Sequence, residues 1–447
     1  MGVRFQSFSK RFRKHFLRGT RSGSIQAQMY LQGLMQALRK NMERMEEAVP
    51  GCNYQSLHHF VSESDWESRA VLDQIAADAD RLLGGSENSC LLIDESSFQK
   101  KGESSVGVER QWSGRLGKVE NSQVAVFASL AQGRFSTLID TRLYLPKTWI
   151  EDSKRSLAAG VPEPEIVLKS KADLAIEMVV QARLNGVRFY WVGVDGGYGK
   201  EPAFLRRLVD LGEVFVAEVH KNQQIYLQDP DPRVPEKKGL RGKPPSLLQA
   251  QSASERVDAW AAAQPSELWQ KVAVRPGTKG EVRVEALRGR VWLWDGGEAK
   301  AHCWHVLAIR EVSSPQTIKY VLSNAPAETS LERLVQMQRQ RFWIERSFED
   351  AKSECGLADY QVRGWRAWHH HMALVMMAML FMLEEKLLHK QSDPLLSCAD
   401  IRTLLACFLP RQDATEADVI RQMKVRHRAR QRAIESAYRR QQRADGE

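Results

Sequence analysis

Two apolar segments of this 447-residue chain each run directly into an aspartate. The first is Cys90–Ile93, followed by Asp94, and the second is "VRFYWVGVDGG", whose aspartate is Asp195. Short apolar runs of this kind predict buried strands. Because ligands gather at the carboxyl ends of strands in α/β sheets, we expect the two carboxylates to meet if the strands are neighbours. The alternative interpretation is that each aspartate only caps the turn after it.

The order of predicted elements indicates an α/β fold built on a mixed sheet. The segments "SQVAVFASLAQG" and "RFSTLIDTRLYLP" alternate in strand fashion and are joined across Gln132 and Gly133, as in a hairpin. Helices are predicted at about 171–185 and 201–211, and "GEVFVAEV" reads as a fifth strand. The order β-β-β-α-β-α-β favours a sheet with helices covering its faces.

Composition changes divide the chain into four predicted regions. Residues 1–85 form a helical N-terminal region, and residues 86–220 and 324–390 form the sheet domain. Residues 221–323 form a β-rich insertion, and residues 391–447 form a basic helical C-terminal region. The insertion begins with a Pro-, Gly- and Lys-rich stretch that predicts a loop, and its strands include "EVRVEALRGRVWLW" and "AHCWHVLAIREV".

Positive charge is concentrated at the two ends of the chain. The formal net charge is +10, residues 1–22 carry seven Lys/Arg and no acid, and residues 421–447 carry nine Lys/Arg against three acids. These ends sum to +13 (7 + 9 − 3), which leaves about −3 for the rest. Such tails are often only solvated segments, but a pair of them around a near-neutral centre favours a polyanionic partner such as DNA or RNA.

Several classes of protein are disfavoured. The longest apolar run, Met372–Leu383, is about twelve residues, short of the ~18–20 that a membrane helix needs. The first residues lack the apolar core of a secretory signal. The six cysteines form no C-x-x-C pair, so neither a zinc site nor a disulfide framework is indicated. We expect a protein of the reducing cytoplasm.

A third group of polar residues recurs at helical spacing. Gln338, Arg341, Glu345, Glu349 and Lys352 are 3, 4, 4 and 3 positions apart and share one face of a predicted helix spanning 329–356. A solvated face of ion pairs is one interpretation. The other is a carboxylate that faces the two strand aspartates, flanked by cations that hold phosphate oxygens.

Three carboxylates without His or Cys suit a hard cation, Mg²⁺ or Mn²⁺. Two such ions about 3.5–4 Å apart can clamp the attacking and leaving oxygens of a phosphoryl displacement. A metal or another cation would also relieve the mutual repulsion of the clustered acids.

The spacing Arg341-x3-Glu345-x6-Lys352 resembles part of the Y-x2-R-x3-E-x6-K signature of insertion-sequence transposases with an Asp-Asp-Glu site. Gln338 stands at the tyrosine position, which is a departure from the signature. The resemblance also covers "LLIDESSFQKKG", "VGVDGGYG", "VRGWRAWHHHMAL" and "NYQSLHHFVSESDWESRAVLDQI", and so spans most of residues 40–385 in order.

The resemblance implies a ribonuclease-H-like fold interrupted by a β-strand insertion. It also implies that Asp94, Asp195 and Glu345 are the catalytic residues and the ligands of Mg²⁺ or Mn²⁺, with two ions expected. Glu349 and Glu95 are rival acids, but only Glu345 satisfies the spacing to both signature cations, and Glu95 points to the opposite face of its strand. The implied partners are double-stranded DNA and a second copy of the chain, in the bacterial cytoplasm at the nucleoid.

Candidate DNA contacts follow from the same resemblance and from charge. Arg341, Lys352 and Gln338 belong to the signature, and the N-terminal region would also bind DNA. Lys100 and Lys101 follow the first aspartate, where solvated loop charge is an equal alternative. Two tryptophans of the insertion are candidates for stacking on an unpaired base, although core packing is the commoner role of tryptophan: Trp292 and Trp294.

The function predicted from the sequence is therefore that of a DNA transposase that cleaves and joins DNA. A non-catalytic DNA-binding protein that keeps the fold is one alternative, and a nuclease without strand transfer is another. His369–His371 add no metal site, because consecutive helical residues point about 100° apart and cannot bind one ion together. Packing is the expected role of these histidines.

Overall fold

A computed structural model describes residues 1–114, 117–236, 243, 245–277 and 280–444 of the chain. Part of the predicted loop at the start of the insertion, residues 237–242 and 244, lies outside the described residues. No helix in the described ranges is long and apolar enough to cross a membrane. The six cysteines are all free thiols.

The helices frame the chain at both ends and cover the sheet between them. Short 3₁₀ turns occur at Arg13–Phe16, Glu163–Glu165 and Ser266–Leu268. The α-helices of the described residues are α1 (Gly2–Arg11), α2 (Ser24–Gln36), α3 (Met42–Ala48), α4 (Tyr54–Ser62), α5 (Ser68–Leu83), α6 (Lys147–Glu151), α7 (Ser153–Ala158), α8 (Lys171–Leu184), α9 (Gly196–Gly199), α10 (Pro202–Asp210), α11 (Val257–Ala262), α12 (Leu331–Gln340), α13 (Phe342–Ser353), α14 (Trp365–Leu388), α15 (Cys398–Phe408) and α16 (Glu416–Ala444).

Most strands belong to a single mixed sheet. The strands are β1 (Leu17–Arg18), β2 (Arg21–Ser22), β3 (Ser89–Gln99), β4 (Glu109–Ser113), β5 (Lys118–Gln132), β6 (Phe135–Leu143), β7 (Trp191–Val194), β8 (Phe215–Val219), β9 (Gln224–Ile225), β10 (Glu255–Arg256), β11 (Gln270–Gly277), β12 (Gly280–Leu293), β13 (His302–Glu311) and β14 (Ser314–Ser323). Ten of them pair in the order β11-β12-β13-β14-β8-β7-β3-β5-β4, with β6 also on β5. The predicted mixed α/β sheet is confirmed, and it is consistent with a ribonuclease-H-like fold.

The centre of the sheet is parallel and its margins are antiparallel. Strands β3, β7 and β8 run side by side in the same direction. The predicted hairpin across Gln132 and Gly133 is present as β5 and β6. Strands β11 to β14 of the insertion extend the central sheet, because β14 pairs antiparallel with β8. The short strands β9 and β10 of the insertion form a separate two-stranded sheet.

Helix α14 forms much of the core. It is buried along most of its 24 residues and contacts α2, α4, α5 and β6. Its apolar run therefore belongs to a core helix, as its length predicted, because neighbouring helices and the sheet remove its surface from water.

The predicted helix over 329–356 is interrupted. It divides into α12 and α13 at Arg341, where Arg341 N donates to Gln338 O and Ile344 N donates to Arg341 O, both three residues apart. Bonds of this spacing are those of a 3₁₀ turn, which is tighter than the α-helix. The five polar residues of the predicted stripe therefore do not share one continuous helix.

Candidate active site

Three acidic residues form a row across the parallel centre of the sheet. Ile93 of β3 is in register with Val194 of β7, and Val194 is in register with Ala217 of β8. The next residue of each strand is acidic: Asp94, Asp195 and Glu218. Asp94 and Asp195 are thus neighbours, as their sequence positions predicted. Asp195 directly follows β7, but β3 continues past Asp94 to Gln99, so the prediction that the first strand ends at its aspartate is wrong.

Asp94 is the most deeply placed of these acids. Its side chain is 15% exposed, and Oδ1 accepts a hydrogen bond from the Glu95 backbone N–H at 2.7 Å. Burial raises the pKa of Asp94 to about 7, the Arg341 guanidinium opposes that shift, and Asp195 adds to it. A buried carboxylate with an acidic neighbour needs a cation nearby to remain ionised at neutral pH.

Asp195 also serves as the cap of α9. Its Oδ1 accepts hydrogen bonds from Gly197 N at 3.0 Å and Tyr198 N at 3.3 Å. The capping interpretation and the sheet-edge interpretation are therefore both correct for this residue. Helix α9 sits tightly on β8, because a Cβ on Gly199 would lie 1.9 Å from the Glu218 carbonyl oxygen, so only glycine fits there.

Arg341, at the break between α12 and α13, lies among the carboxylates. Its guanidinium donates to Asp94 at 3.1 Å, to Glu218 at 3.3 Å and to Glu345 at 2.9 Å. Its side chain is 12% exposed. Burial acts to lower the pKa of Arg341. The surrounding carboxylates raise that pKa by more than burial lowers it, so the net shift is upward. Arg341 brings Glu345 to the strand acids through shared hydrogen bonds.

Glu218 is a member of this group that sequence reasoning missed. Its Oε1 accepts hydrogen bonds from Gln338 at 2.8 Å and from Lys319 at 3.1 Å. Burial acts to raise the pKa of Glu218, and Arg341 and Lys319 outweigh it, so the net shift is downward. The sequence did contain a pattern that indicates Glu218, because "VFVAEV" is a third apolar strand with an acid near its end.

The donor set fits a hard divalent cation by its chemistry, because it consists of carboxylate oxygens only. In the described part of the chain, however, no three His, Cys, Asp or Glu residues are placed close enough together to hold one ion. The Arg341 guanidinium lies between Asp94 and Glu345 and supplies the positive charge that balances these two carboxylates. Glu345 is 55% exposed, so its carboxylate is open to a ligand on the outer side.

The two rival acids are engaged elsewhere. Glu349 pairs with Arg346 at 3.1 Å on the exposed side of α13. Glu95 pairs with Lys171 of α8 at 2.5 Å. Neither contacts the Arg341 guanidinium, and Glu95 lies on the face of β3 opposite Asp94 as the strand periodicity predicted.

Gln338 does not occupy a position suited to DNA contact. Its side chain is buried, with 3% of the residue exposed, and it donates to Glu218. The prediction that Gln338 binds DNA is therefore at odds with its burial. Its physical role is to hold α12 on β8, because its amide satisfies part of the hydrogen-bonding demand of a buried carboxylate.

Lys100 and Lys101 border a groove between the N-terminal helices and the sheet domain. The Lys100 ammonium lies 3.4 Å from the centre of the Tyr360 ring, and burial lowers the pKa of Lys100 to about 8. The groove has a volume of about 1170 Å³ and is also lined by Arg363. Lys352 lies on the same side, 5.8 Å from the centre of the Phe98 ring.

The two candidate tryptophans have different surroundings. Trp294 lines a cavity of about 690 Å³ with His302 and Trp304, and its Nε1 donates to the Glu298 carbonyl oxygen at 2.7 Å. Trp292 is not among the residues that line this cavity, and its backbone forms a bridge with Tyr226.

The consecutive histidines of α14 are packing residues. His370 lies 1% exposed, stacked on Trp66 at 3.7 Å, and its two ring nitrogens face the carbonyl oxygens of Val61 and Trp66. His371 is fully buried, with Nδ1 2.8 Å from the Tyr30 hydroxyl. The three rings thus bind different partners, as the helical geometry predicted.

The amino-acid sequence of the chain is similar to those of known proteins. Residues 11–281 match the model of the DDE superfamily endonuclease family, a range that contains Asp94 and Asp195. The chain is 23% identical over 327 residues to the "Probable transposase for insertion sequence element IS701" of Microchaete diplosiphon, covering 72% of this chain and 73% of that protein. Because the family model matches more than half of the sequence, the family predicted from the motifs is confirmed: the chain belongs to the DDE superfamily endonucleases.

Proposed function

We propose that this protein is a DNA transposase that binds the terminal inverted repeats of its element, cleaves the DNA and joins the freed ends to target DNA. One observation carries the proposal: Asp94 and Asp195 lie side by side on a rigid sheet, and Arg341 brings Glu345 to them. In an endonuclease family, such a group of acids is suited to phosphoryl transfer.

Asp94, Asp195 and Glu345 would hold Mg²⁺ or Mn²⁺, with two ions expected. DDE superfamily endonucleases generally use divalent metal ions. Such ions supply a more acidic bound water and neutralise charge on the phosphate. Burial and a neighbouring acid raise the pKa of Asp94, and a cation at its oxygens acts in the opposite direction, as Arg341 does.

In the proposed reaction the protein side chains form no covalent bond with the DNA. Water attacks the scissile phosphorus, the bond to the 3′ oxygen breaks, and a 3′-hydroxyl is released. The same hydroxyl then attacks the phosphorus of a second phosphodiester, whose bond to its own 3′ oxygen breaks. That oxygen leaves as a new 3′-hydroxyl, and the two DNA segments are joined. The roles of the side chains are to position the strand and to balance charge, with Lys352, near the Phe98 ring, as a phosphate contact.

Other surfaces would hold the rest of the DNA. The groove bordered by Lys100 and Lys101 is suited to a backbone segment, because no acid forms an ion pair with either lysine within the described structure. Trp294 beside its cavity is better placed than Trp292 to stack on an unpaired base. The helices of residues 1–85 and the basic α16 would add contacts, and a homodimer would bring two element ends together.

The test is a cleavage and strand-transfer assay on the element's own ends with Mg²⁺ or Mn²⁺. Asp94→Ala, Asp195→Ala and Glu345→Ala should each abolish product while leaving DNA binding intact. Glu349→Ala is the matched control on the same helix and should retain activity. A wild-type protein that binds the ends and never cuts them would support the non-catalytic alternative, and cutting without joining would support the nuclease.

A further inference from the structure

Another pocket lies at the amino ends of β3 and β7, the strands that place Asp94 and Asp195 side by side. It is bounded by the β5–β6 turn, β11, α12 and the start of α13, and it has a volume of about 470 Å³, within the ~300–1,000 Å³ range of ligand sites. Asn88 and Trp191 at its floor adjoin the starts of β3 and β7. Asp94 is five residues beyond the start of β3, roughly 17 Å along the strand. The pocket and the acids share no residue.

Four arginines converge on this arginine pocket: Arg134, Arg275, Arg333 and Arg339. No aspartate or glutamate is among the described residues that line it. Arg339 alone has an acidic partner in the described structure, Glu311 at 2.6 Å. Four cations with one carboxylate between them repel one another, and an anion bound in their midst would relieve that repulsion.

The three other arginines are held in place by neutral groups. Arg333 donates to Asn88 Oδ1 at 2.6 Å and to the Glu87 carbonyl oxygen. The guanidinium of Arg275 lies 4.5 Å from the centre of the Phe342 ring, and that of Arg134 lies 5.1 Å from the centre of the Phe135 ring. These contacts orient the side chains and leave their charge uncompensated. A planar guanidinium fork is matched to phosphate oxygens.

Buried polar atoms in the pocket wall also lack partners. Trp191 is 1% exposed, and its Nε1 has no hydrogen-bond partner among the described residues. The same holds for Arg339 Nε and Gln340 Oε1. Buried donors are nearly always satisfied in folded proteins, so two unmatched N–H groups beside an arginine cluster point to a missing acceptor.

We propose that the arginine pocket binds a phosphate group, carried by a DNA strand or by a free nucleotide, at a site separate from the acids. The guanidinium groups would bind the phosphate oxygens, the Trp191 N–H would donate to the same ligand, and the Trp343 ring at the wall would pack against its sugar or base. This inference does not depend on DNA cleavage, because a protein that never cut DNA could still bind phosphate here.

The pocket also adjoins the break between α12 and α13. Arg341 faces the acids, while Arg339, Gln340 and Trp343 on either side of it line the pocket. A ligand in the pocket would therefore touch the residues that flank the side chain joining Asp94 to Glu345.

The experiment is a calorimetric titration of the full-length protein in EDTA with a single-stranded tetranucleotide, with thymidine 5′-monophosphate and with tripolyphosphate. Arg134→Gln combined with Arg333→Gln should weaken binding about tenfold or more, because two charge-assisted contacts are removed. The matched control is Arg283→Gln, an exposed arginine of the insertion that pairs with Glu281 at 2.7 Å, and its binding should change by no more than about twofold.

The single variant Arg134→Gln guards against misfolding, because Arg134 is exposed and its replacement should leave the melting temperature unchanged. Binding of the tetranucleotide alone, abolished in the variants, assigns the pocket to a DNA strand. Binding of the small phosphates as well, abolished in the same variants, assigns it to a free phosphate group. Binding that the arginine substitutions leave unchanged, or no binding of any probe, overturns the inference. Asp94→Asn in the same titration separates the two proposals, since it should lose cleavage and keep this binding.

Discussion

Arg341 donates to Asp94 across 3.1 Å and so ties the break between α12 and α13 to the middle of the central strand β3. The two residues are 247 positions apart in the chain. The bond gives the buried Asp94 carboxylate a guanidinium partner where water would otherwise solvate it. Replacing either residue would therefore show how the acids are kept ionised.

Replacing Arg341 with alanine should destabilise the metal-free protein by about 3–5 kcal/mol, because removal of one partner leaves a buried charge uncompensated. The pKa of Asp94 should rise further above its value of about 7. Thermal melting in EDTA and in Mn²⁺ would measure the effect. We expect Mn²⁺ to restore more stability to the variant than to wild type, and equal gains in both would contradict this account.

Glu218→Gln should lower DNA cleavage about tenfold, a smaller loss than we expect from Asp94→Ala, because Glu218 positions Arg341 and is a neighbour of the acids that we propose as metal ligands. Steady-state cleavage across a Mn²⁺ series would show whether the loss is recovered at high metal concentration. Glu285→Gln, at an acid of β12 that pairs with Arg310 at 2.9 Å, is the control. Cleavage equal to wild type in Glu218→Gln would show that this acid has no such role.

Gln338→Tyr, which introduces the signature tyrosine, should cost about 1–3 kcal/mol of stability because an added ring overpacks a site that is 3% exposed. It would also break the hydrogen bond to Glu218. Chemical denaturation would measure the loss, with Glu332→Gln on the exposed side of α12 as control. An unchanged or higher stability would mean that the site can expand to accept the tyrosine.

The buried histidines should make stability depend on pH. Burial lowers the pKa of His369 and His370 to about 4 and that of His371 to about 3, against about 6.5 in the unfolded chain. Their contribution is therefore complete above pH 6.5 and is lost as pH falls from 6.5 towards 4, because only the unfolded state takes up the protons. Each histidine should add a slope of about 1.4 kcal/mol per pH unit in that window.

Denaturation at pH 7, 6 and 5 would measure this slope. His371→Gln should reduce it, and His427→Gln on the exposed α16 should leave it unchanged. A stability that is flat between pH 5 and 7 would show that the folded protein takes up these protons as readily as the unfolded chain, so that the pKa values of the rings are not lowered.

Truncation after Thr415 should weaken DNA binding and flatten its salt dependence, because α16 carries exposed Lys and Arg side chains that would release counterions from DNA. Within the described residues, an ion pair between Arg426 and Glu47 at 2.9 Å joins its basic stretch to the N-terminal helices, and α16 is otherwise largely exposed, so folding should survive. Binding measured from 50 to 300 mM salt would give a slope smaller by about 0.9 for each phosphate that α16 neutralises in the full-length protein. An identical slope would remove α16 from the DNA interface.

Local patterns were enough to predict much of the fold and part of the candidate site. The β5–β6 hairpin and the strands that carry Asp94 and Asp195 follow from short apolar runs bounded by turn residues. The burial of His370 and His371 follows from their place in an apolar helix. Such features depend on neighbours within a few positions, which the sequence displays directly.

Other features required the tertiary structure. Glu218 joins the acids only because β8 is in register with β7, and the insertion extends the central sheet only because β14 pairs with β8. The interruption at Arg341 was not predicted. Arg341 donates hydrogen bonds to acids on two strands, and the local pattern does not display such contacts.

The sequence by itself determined which apolar segments run into Asp94 and Asp195 and which spacing accompanies Glu345, because alternation and helical period are properties of adjacent residues. The tertiary structure alone decided that Gln338 is buried against Glu218 and that Arg134, Arg275 and Arg333 meet in one pocket. Pairings between segments more than a hundred residues apart depend on how the sheet is assembled, and no local pattern encodes that assembly.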